Sequence, residues 1–242
     1  MHPRTTPAAL LLAALLALAG CGTGTAPAKT TAATPPATAI PTPTPTPAKT
    51  YGNADLTAML SALKDPQGRP LTVIPAAQID EGIIKARELL KSAVVTPEAC
   101  KVFVDSSSQV PADSTYAGAT TSNAADKTAI IVTVIALKDA KTLTGTLKAS
   151  RAAAEQCKSF TIDIGGQKVT SETTPVDAVT SGDDSYAALT KQTLPTGATQ
   201  TALTVTGIKG NLAATVVKGG ATVTPGASAE LTRMVNTILA LG

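Results

Sequence analysis

The strongest pattern along the chain is Ala129 to Leu137, AIIVTVIAL, a nearly unbroken and largely β-branched run bounded by polar residues. Such a run predicts a strand buried on both faces. Asp139 then stands where a helix cap is needed, and Leu143, Leu147 and Ala154 mark the apolar side of a helix running to about Gln156. Gly145 weakens that helix by about 1 kcal/mol of propensity. Beyond it the period changes to two. Phe160, Ile162 and Ile164 alternate with Thr161 and Asp163, Gly165-Gly166 is a two-residue hairpin signal, and Gln167 to Thr174 returns. Ser181 to Asp184 reads as a turn, and Ser185 to Thr193 as a further strand. Thr201 to Ile208, with Leu203 and Val205 inward, pairs through Lys209-Gly210-Asn211 with Leu212 to Lys218, and Gly219-Gly220 ends the sheet. Thr224-Pro225 opens a last helix carrying Leu231, Met234, Val235, Ile238 and Leu241 on one side.

Upstream of the long strand the pattern is helical. Asn53 is placed to cap a short helix with Leu56, Met59, Leu60 and Leu63 on one face, and Asp65-Pro66-Gln67-Gly68 breaks it. A second helix runs from about Ala76 to Ser92 with a stripe of Ile79, Ile83, Ala86 and Leu90. Thr96-Pro97-Glu98 suits the start of a short turn that carries Cys100. From Ser106 to Lys127 the chain is polar and turn-rich, interrupted by Tyr116. Taken in order, these elements predict an α+β fold: an antiparallel sheet of about five or six strands flanked by helices.

The first fifty residues obey other rules. Arg4 precedes a twelve-residue apolar run, Ala8 to Ala19, that ends in Leu18-Ala19-Gly20-Cys21. The run is too short for a bilayer core of about 30 Å and fits the h-region of an export signal. Leu-Ala-Gly-Cys resembles the lipobox of bacterial lipoproteins, which implies cleavage before Cys21, acylation of that cysteine and residence on the outer face of the cell membrane. Residues 22–50 hold seven prolines and ten threonines, including Pro41 to Pro47 in strict Thr-Pro alternation. Such a segment has no apolar periodicity to form a core and reads as an extended tether, reaching about 90 Å at roughly 3.1 Å per residue. Its Thr-Pro repeats are also candidate O-glycosylation sites. The organisation is therefore signal 1–20, lipidated Cys21 and tether 21–52, and one α+β domain 53–242.

Composition sharpens this picture. The formal net charge is +3, but Arg4, Lys29 and Lys49 carry that excess, and residues 51–242 balance 17 basic against 17 acidic residues. With three Tyr, two Phe and no Trp, the chain lacks both the basic face and the stacking platforms of a nucleic-acid binder. The one histidine is His2, inside the signal, so the exported protein has none for a Ser-His-Asp or Cys-His site or for a His-ligated metal. No cofactor or metal is expected. Asp183-Asp184, the most cation-like pair, suits a solvated turn better, and Asp80-Glu81 the charged face of a helix. No Ser-x-x-Lys stands at a helix start, and no acid pair marks a glycosidase.

Cys100 and Cys157 remain as a pair in an exported chain. An oxidising compartment favours a disulfide, with two buried thiols or a thiol catalyst as alternatives. Closing this loop is worth about 4 kcal/mol by chain entropy.

Lipobox, Thr/Pro tether, Pro97-Glu98-Ala99-Cys100, a tyrosine after a polar loop, the long apolar strand, a helix ending in Cys157, then five strands and a last helix together resemble the PknH-type extracellular sensor domain. That family occurs on mycobacterial serine/threonine kinases and on free lipoproteins of related high-GC Gram-positive bacteria. The resemblance spans residues 53–242 and lies in layout, most specifically in the placement of Cys100 and Cys157. It implies a helix-flanked antiparallel sheet with a cleft, a ligand-sensing role and no enzymatic activity. The chain departs from the kinase sensors in having one candidate disulfide where theirs show a two-disulfide pattern, and in showing neither kinase nor transmembrane helix, so sensing would need a partner. Tyr116 and Tyr186 are the candidates for lining a cleft, along with the hairpin threonines.

The expected function is thus that of a membrane-anchored, non-enzymatic module that binds a small molecule or an envelope protein. A lipid or glycolipid carrier with an apolar cavity is the alternative, and co-purified lipid in native mass spectrometry would favour it. Alkylation without reductant should leave Cys100 and Cys157 unlabelled; labelling of both would mean that the bridge is absent.

Overall fold

The computed structural model describes residues 49–242 apart from 102, 103, 105–110 and 112. Cys21, the signal and most of the tether lie outside the described residues, as do Ser106 to Val110 of the polar stretch. Its centre is the long apolar run, which forms strand β4 (Thr128–Ala136). Val132 and Val134 are fully buried, and Ile135 and Ala136 nearly so. The described residues form four α-helices and nine strands: α1 (Asn53–Ala62), β1 (Thr72–Ile74), α2 (Ala76–Lys91), β2 (Val94–Thr96), β3 (Thr115–Asn123), β4, α3 (Ala140–Gln156), β5 (Ser159–Ile164), β6 (Gln167–Pro175), β7 (Asp184–Thr193), β8 (Thr199–Lys209), β9 (Leu212–Gly220) and α4 (Ser228–Leu241). The strands make one sheet in the order β1-β3-β4-β9-β8-β7-β6-β5-β2, and every neighbouring pair is antiparallel.

The α+β class is as expected, but the sheet has nine strands, where the sequence pattern suggests about five or six. β1 and β2 are three-residue strands at the two edges, too short to show a period. β3 lies within the stretch expected to be irregular. Its small and polar residues carry little strand signal, and it is held by nine register pairs with β4 and by α1, over which Ala117 and Ala119 are buried. Two finer expectations also change. Gly52 precedes the first helical residue of α1 in place of Asn53, and the Asp55 carboxylate accepts its N–H at 2.8 Å. On α4, Leu231, Val235, Ile238 and Leu239 are fully buried while Leu241 is 45% exposed, because the helical period carries residue 241 off the stripe.

Alternation along the strands gives the sheet two unlike faces. On one, α1 and α4 cover Val132, Val134, Leu203, Val205, Ala214 and Val216. Here α4 comes so close to β8 that a Cβ on Gly207 would stand 2.7 Å from Val235. On the other, α3 packs Leu143 and Leu147 against Ile208 and Ala213, and α2 brings Ile79 over Gly118 of β3. As expected, Asp139 caps α3, accepting the Lys141 N–H at 3.0 Å, and Gly165 and Gly166 turn the β5–β6 hairpin at φ of 60° and 81°.

Three ties close the molecule. Cys100, in a 3-10 turn after β2, is bonded to Cys157 at the end of α3, across 57 positions of sequence and with Cα atoms 5.6 Å apart. At one pole, Asn211 donates to the carbonyls of Lys49 and Leu137, and the Lys49 ammonium and Tyr51 hydroxyl both donate to the Gly242 carbonyl at 2.9 Å. After α1, the buried Asp65 carboxylate accepts the N–H groups of Gln67 and Arg69 and the Arg69 Nε–H, and Arg69 in turn donates to the Ser122 carbonyl of β3.

Burial alone would push the Asp65 pKa up, but hydrogen bonds and charge from Arg69, with the Gln67 N–H, hold it below the usual carboxylate range. A carboxyl depressed in the folded state stabilises the fold above its unfolded pKa, near 3.9, and the stabilisation is lost as pH falls through the folded value. Urea unfolding should therefore find Asp65→Asn less stable by about 2 kcal/mol at neutral pH. That gap should close toward about pH 2; a pH-independent gap would mean that the charge of Asp65 is not what matters.

Candidate functional site

The helix-α2/α3 face of the sheet carries an unusual band of polar side chains. In the central strands, side chains of one parity point to this face, as fixed by Ile208 and Ala213 beneath α3. Tyr186 lies opposite Thr206, and Thr206 opposite Thr215. The two threonine hydroxyls meet at 3.0 Å while buried. Four residues beyond Tyr186 on β7 is Thr190, whose hydroxyl is 3.3 Å from that of Thr173 on β6. Next in the same phase come Gln192 and Ser171, paired directly across β7 and β6. Both are buried, at 4% and 0% exposure.

Ser171 and Gln192 differ from the threonine pairs in one respect. The Ser171 Oγ and the Gln192 Nε2 have no hydrogen-bond partner among the described residues. A buried polar group left unpaired costs about 1–3 kcal/mol, and two sit side by side, within the roughly 5 Å that separates Cβ atoms across a ladder. Ser171 is also in register with Phe160 of β5. Phe160 belongs to the apolar cluster of Val95, Ile162 and the Cys100–Cys157 bridge. The band thus passes from hydroxyls at the middle of the sheet to an amide and a hydroxyl beside an apolar wall. Its polar members are all neutral. Chemically, it offers an amide N–H and an O–H to an oxygen acceptor with an apolar neighbour.

Tyr116 and Tyr186 lie on this same face but do not come together. Between β3 and β7 stand β4, β9 and β8, about 19 Å at 4.8 Å per strand. Tyr116 donates to the Asp80 carboxylate of α2. That hydrogen bond, then burial, pushes its pKa up. Tyr186 packs against the α3 cluster. Burial first, then the charge of Glu155, pushes it up to about 12, with Arg151 opposing. Both phenols therefore keep their protons throughout the physiological range, and Tyr116 acts as a donor.

The acidic pairs are committed elsewhere. Asp183 accepts the Gly210 N–H at 2.7 Å, while Asp184 pairs with Arg151 at 3.0 Å, so the two adjacent carboxylates serve separate partners. Asp80 binds Tyr116, and Glu81 faces Lys85 at 3.6 Å. Among the described residues no group of three His, Cys, Asp or Glu is placed to hold a metal ion, and no helix is long and apolar enough to cross a membrane.

Sequence reasoning passed over Ser171 and Gln192. The signal was the alternation of β5: once Phe160 and Ile162 define its inward face, the Gly165-Gly166 turn fixes the register and sets Ser171 opposite Phe160.

No family model matches the sequence, and no curated protein matches it. Among solved structures, the extracellular domain of PknH from Mycobacterium tuberculosis is similar, with a TM-score of 0.49 and 12% identity over 79% of this chain and 98% of that one. The Rv0999 ortholog from Mycobacterium smegmatis gives 0.44 and 13%, over 78% of this chain and 95% of that one.

Proposed function

We propose that this protein is an exported lipoprotein, held at the outer face of the cell membrane through Cys21, whose α+β domain is a non-enzymatic, sensor-like binding module. Its binding region is the polar band beneath α2 and α3, and its ligand is neutral and oxygen-bearing. The observation that carries this reading is the Ser171–Gln192 pair. A core selected for stability alone would place apolar side chains there, since removing both polar partners is neutral or stabilising. The leader, the Thr/Pro segment and the bridge between Cys100 and Cys157 suit an oxidising, extracytoplasmic setting. A binding role without catalysis fits a chain whose one histidine is His2 and whose acidic pairs are tied to structural partners.

Native mass spectrometry of the full chain purified from its own host should show an added non-protein mass, absent from Ser171→Ala/Gln192→Leu. Without ligand, that double variant should unfold at equal or higher urea concentration, by up to about 1–2 kcal/mol. Destabilisation of several kcal/mol, with no bound mass on the parent chain, would make the pair an ordinary part of the core and sink the proposal. An added mass identified as lipid would favour the carrier.

A further inference from the structure

On the opposite side of the sheet, where α4 passes the end of α1, the structure holds a groove of about 350 Å³. That volume lies in the range of roughly 300–1,000 Å³ typical of small-molecule sites. Leu63 and Met234 line its floor, at 2% and 5% exposure. Lys64 stands on one wall and Arg233 on the other.

The charges around the groove do not balance. Asp65 lines it, but its carboxylate is taken up by Arg69, at 2.6 Å. Glu230 lines it too, and is paired at 3.0 Å with Lys218 of β9. Lys64 and Arg233 make no side-chain hydrogen bond or ion pair among the described residues. With both acids neutralised, the groove presents two uncompensated cations above an apolar floor. The wall bearing Lys64 is also rigid: Lys64 is bridged to Pro70, and the turn between them is built on the hydrogen bonds of Asp65. The Lys64 stem therefore starts from a fixed backbone, which lowers the ordering cost of binding.

We infer that this groove binds a small phosphate-bearing molecule. The phosphate bridges Lys64 and Arg233, and the carbon part of the ligand lies on Leu63 and Met234. Two cations on facing walls match a group that carries up to two charges and several acceptor oxygens, and a guanidinium is well suited to phosphate. A monocarboxylate would leave one cation unmatched. The site is separate from the Ser171–Gln192 band and stands or falls independently of it.

Isothermal titration calorimetry of the full chain would use two phosphate monoesters as probes, glycerol phosphate and monomeric dihexanoyl phosphatidic acid. Saturable binding of either is expected, weakened about tenfold by Lys64→Ala and by Arg233→Ala and lost in Lys64→Glu/Arg233→Glu. Because Lys64 and Arg233 are exposed, the alanine variants should keep the parent unfolding midpoint. Binding of glycerol phosphate marks a soluble phosphate ester as the source; binding of the phospholipid alone marks a lipid headgroup. Failure of both probes, or binding that none of these substitutions changes, would overturn the inference.

Discussion

The pairing of β4 with β9 is the constraint on which the architecture rests. It joins β1, β3 and β4 to the meander β5 to β9, running in register from Ala129–Gly219 to Ala136–Leu212. Here the strongest strand in the sequence meets the last one, and Val132 and Val216 lie opposite each other with no exposure at all. The chain reaches this contact only after α3 has crossed the sheet and five further strands have folded back. Contacts of such high sequence separation are entropically costly to close. The Cys100–Cys157 bridge acts elsewhere, tying the end of α3 to the turn after β2.

The two faces of the sheet express different demands. The α1/α4 face is packed for stability, with aliphatic side chains from both helices meeting valines and alanines of the central strands. The α2/α3 face is mixed. Part is apolar, beneath α3 and around the disulfide, and part is the hydroxyl and amide band. Helix α2 contributes little to a core: only Ile83 and Ala86 along it are buried, and Ile84 and Leu89 stand 58% and 48% exposed. A face that accepts unpaired buried groups departs from local optimisation, and such departures concentrate where proteins bind.

Much of this was legible in the residues, for identifiable reasons. The run AIIVTVIAL, the cap Asp139 and the turn Gly165-Gly166 each act locally, so their signals survive in one dimension. β3 was not legible, because Gly118 and its alanines and threonines become a strand only against β4. The edge strands β1 and β2 are set by their partners in the same way. The pair Cys100 and Cys157 was legible as chemistry, while the separation of Tyr116 from Tyr186 was not. Nothing in the linear order says that β9 returns to β4 and places three strands between them. Ser171 and Gln192 look like ordinary strand-surface residues until the register puts them beside Phe160.

The contacts around Asn211 have a mechanical meaning. Lys49, the first described residue, is held by the β8–β9 turn, and its side chain and Tyr51 grip Gly242 beyond α4. Asn211 shares its amide with Leu137, just past the end of β4. A pull on the chain from the side of residue 48 would load this latch first, one hydrogen bond after another. The long ladders of the central strands would be spared until it opened. Until then the domain would swing on the latch as a rigid body, with the load borne at its rim and the packing within left intact.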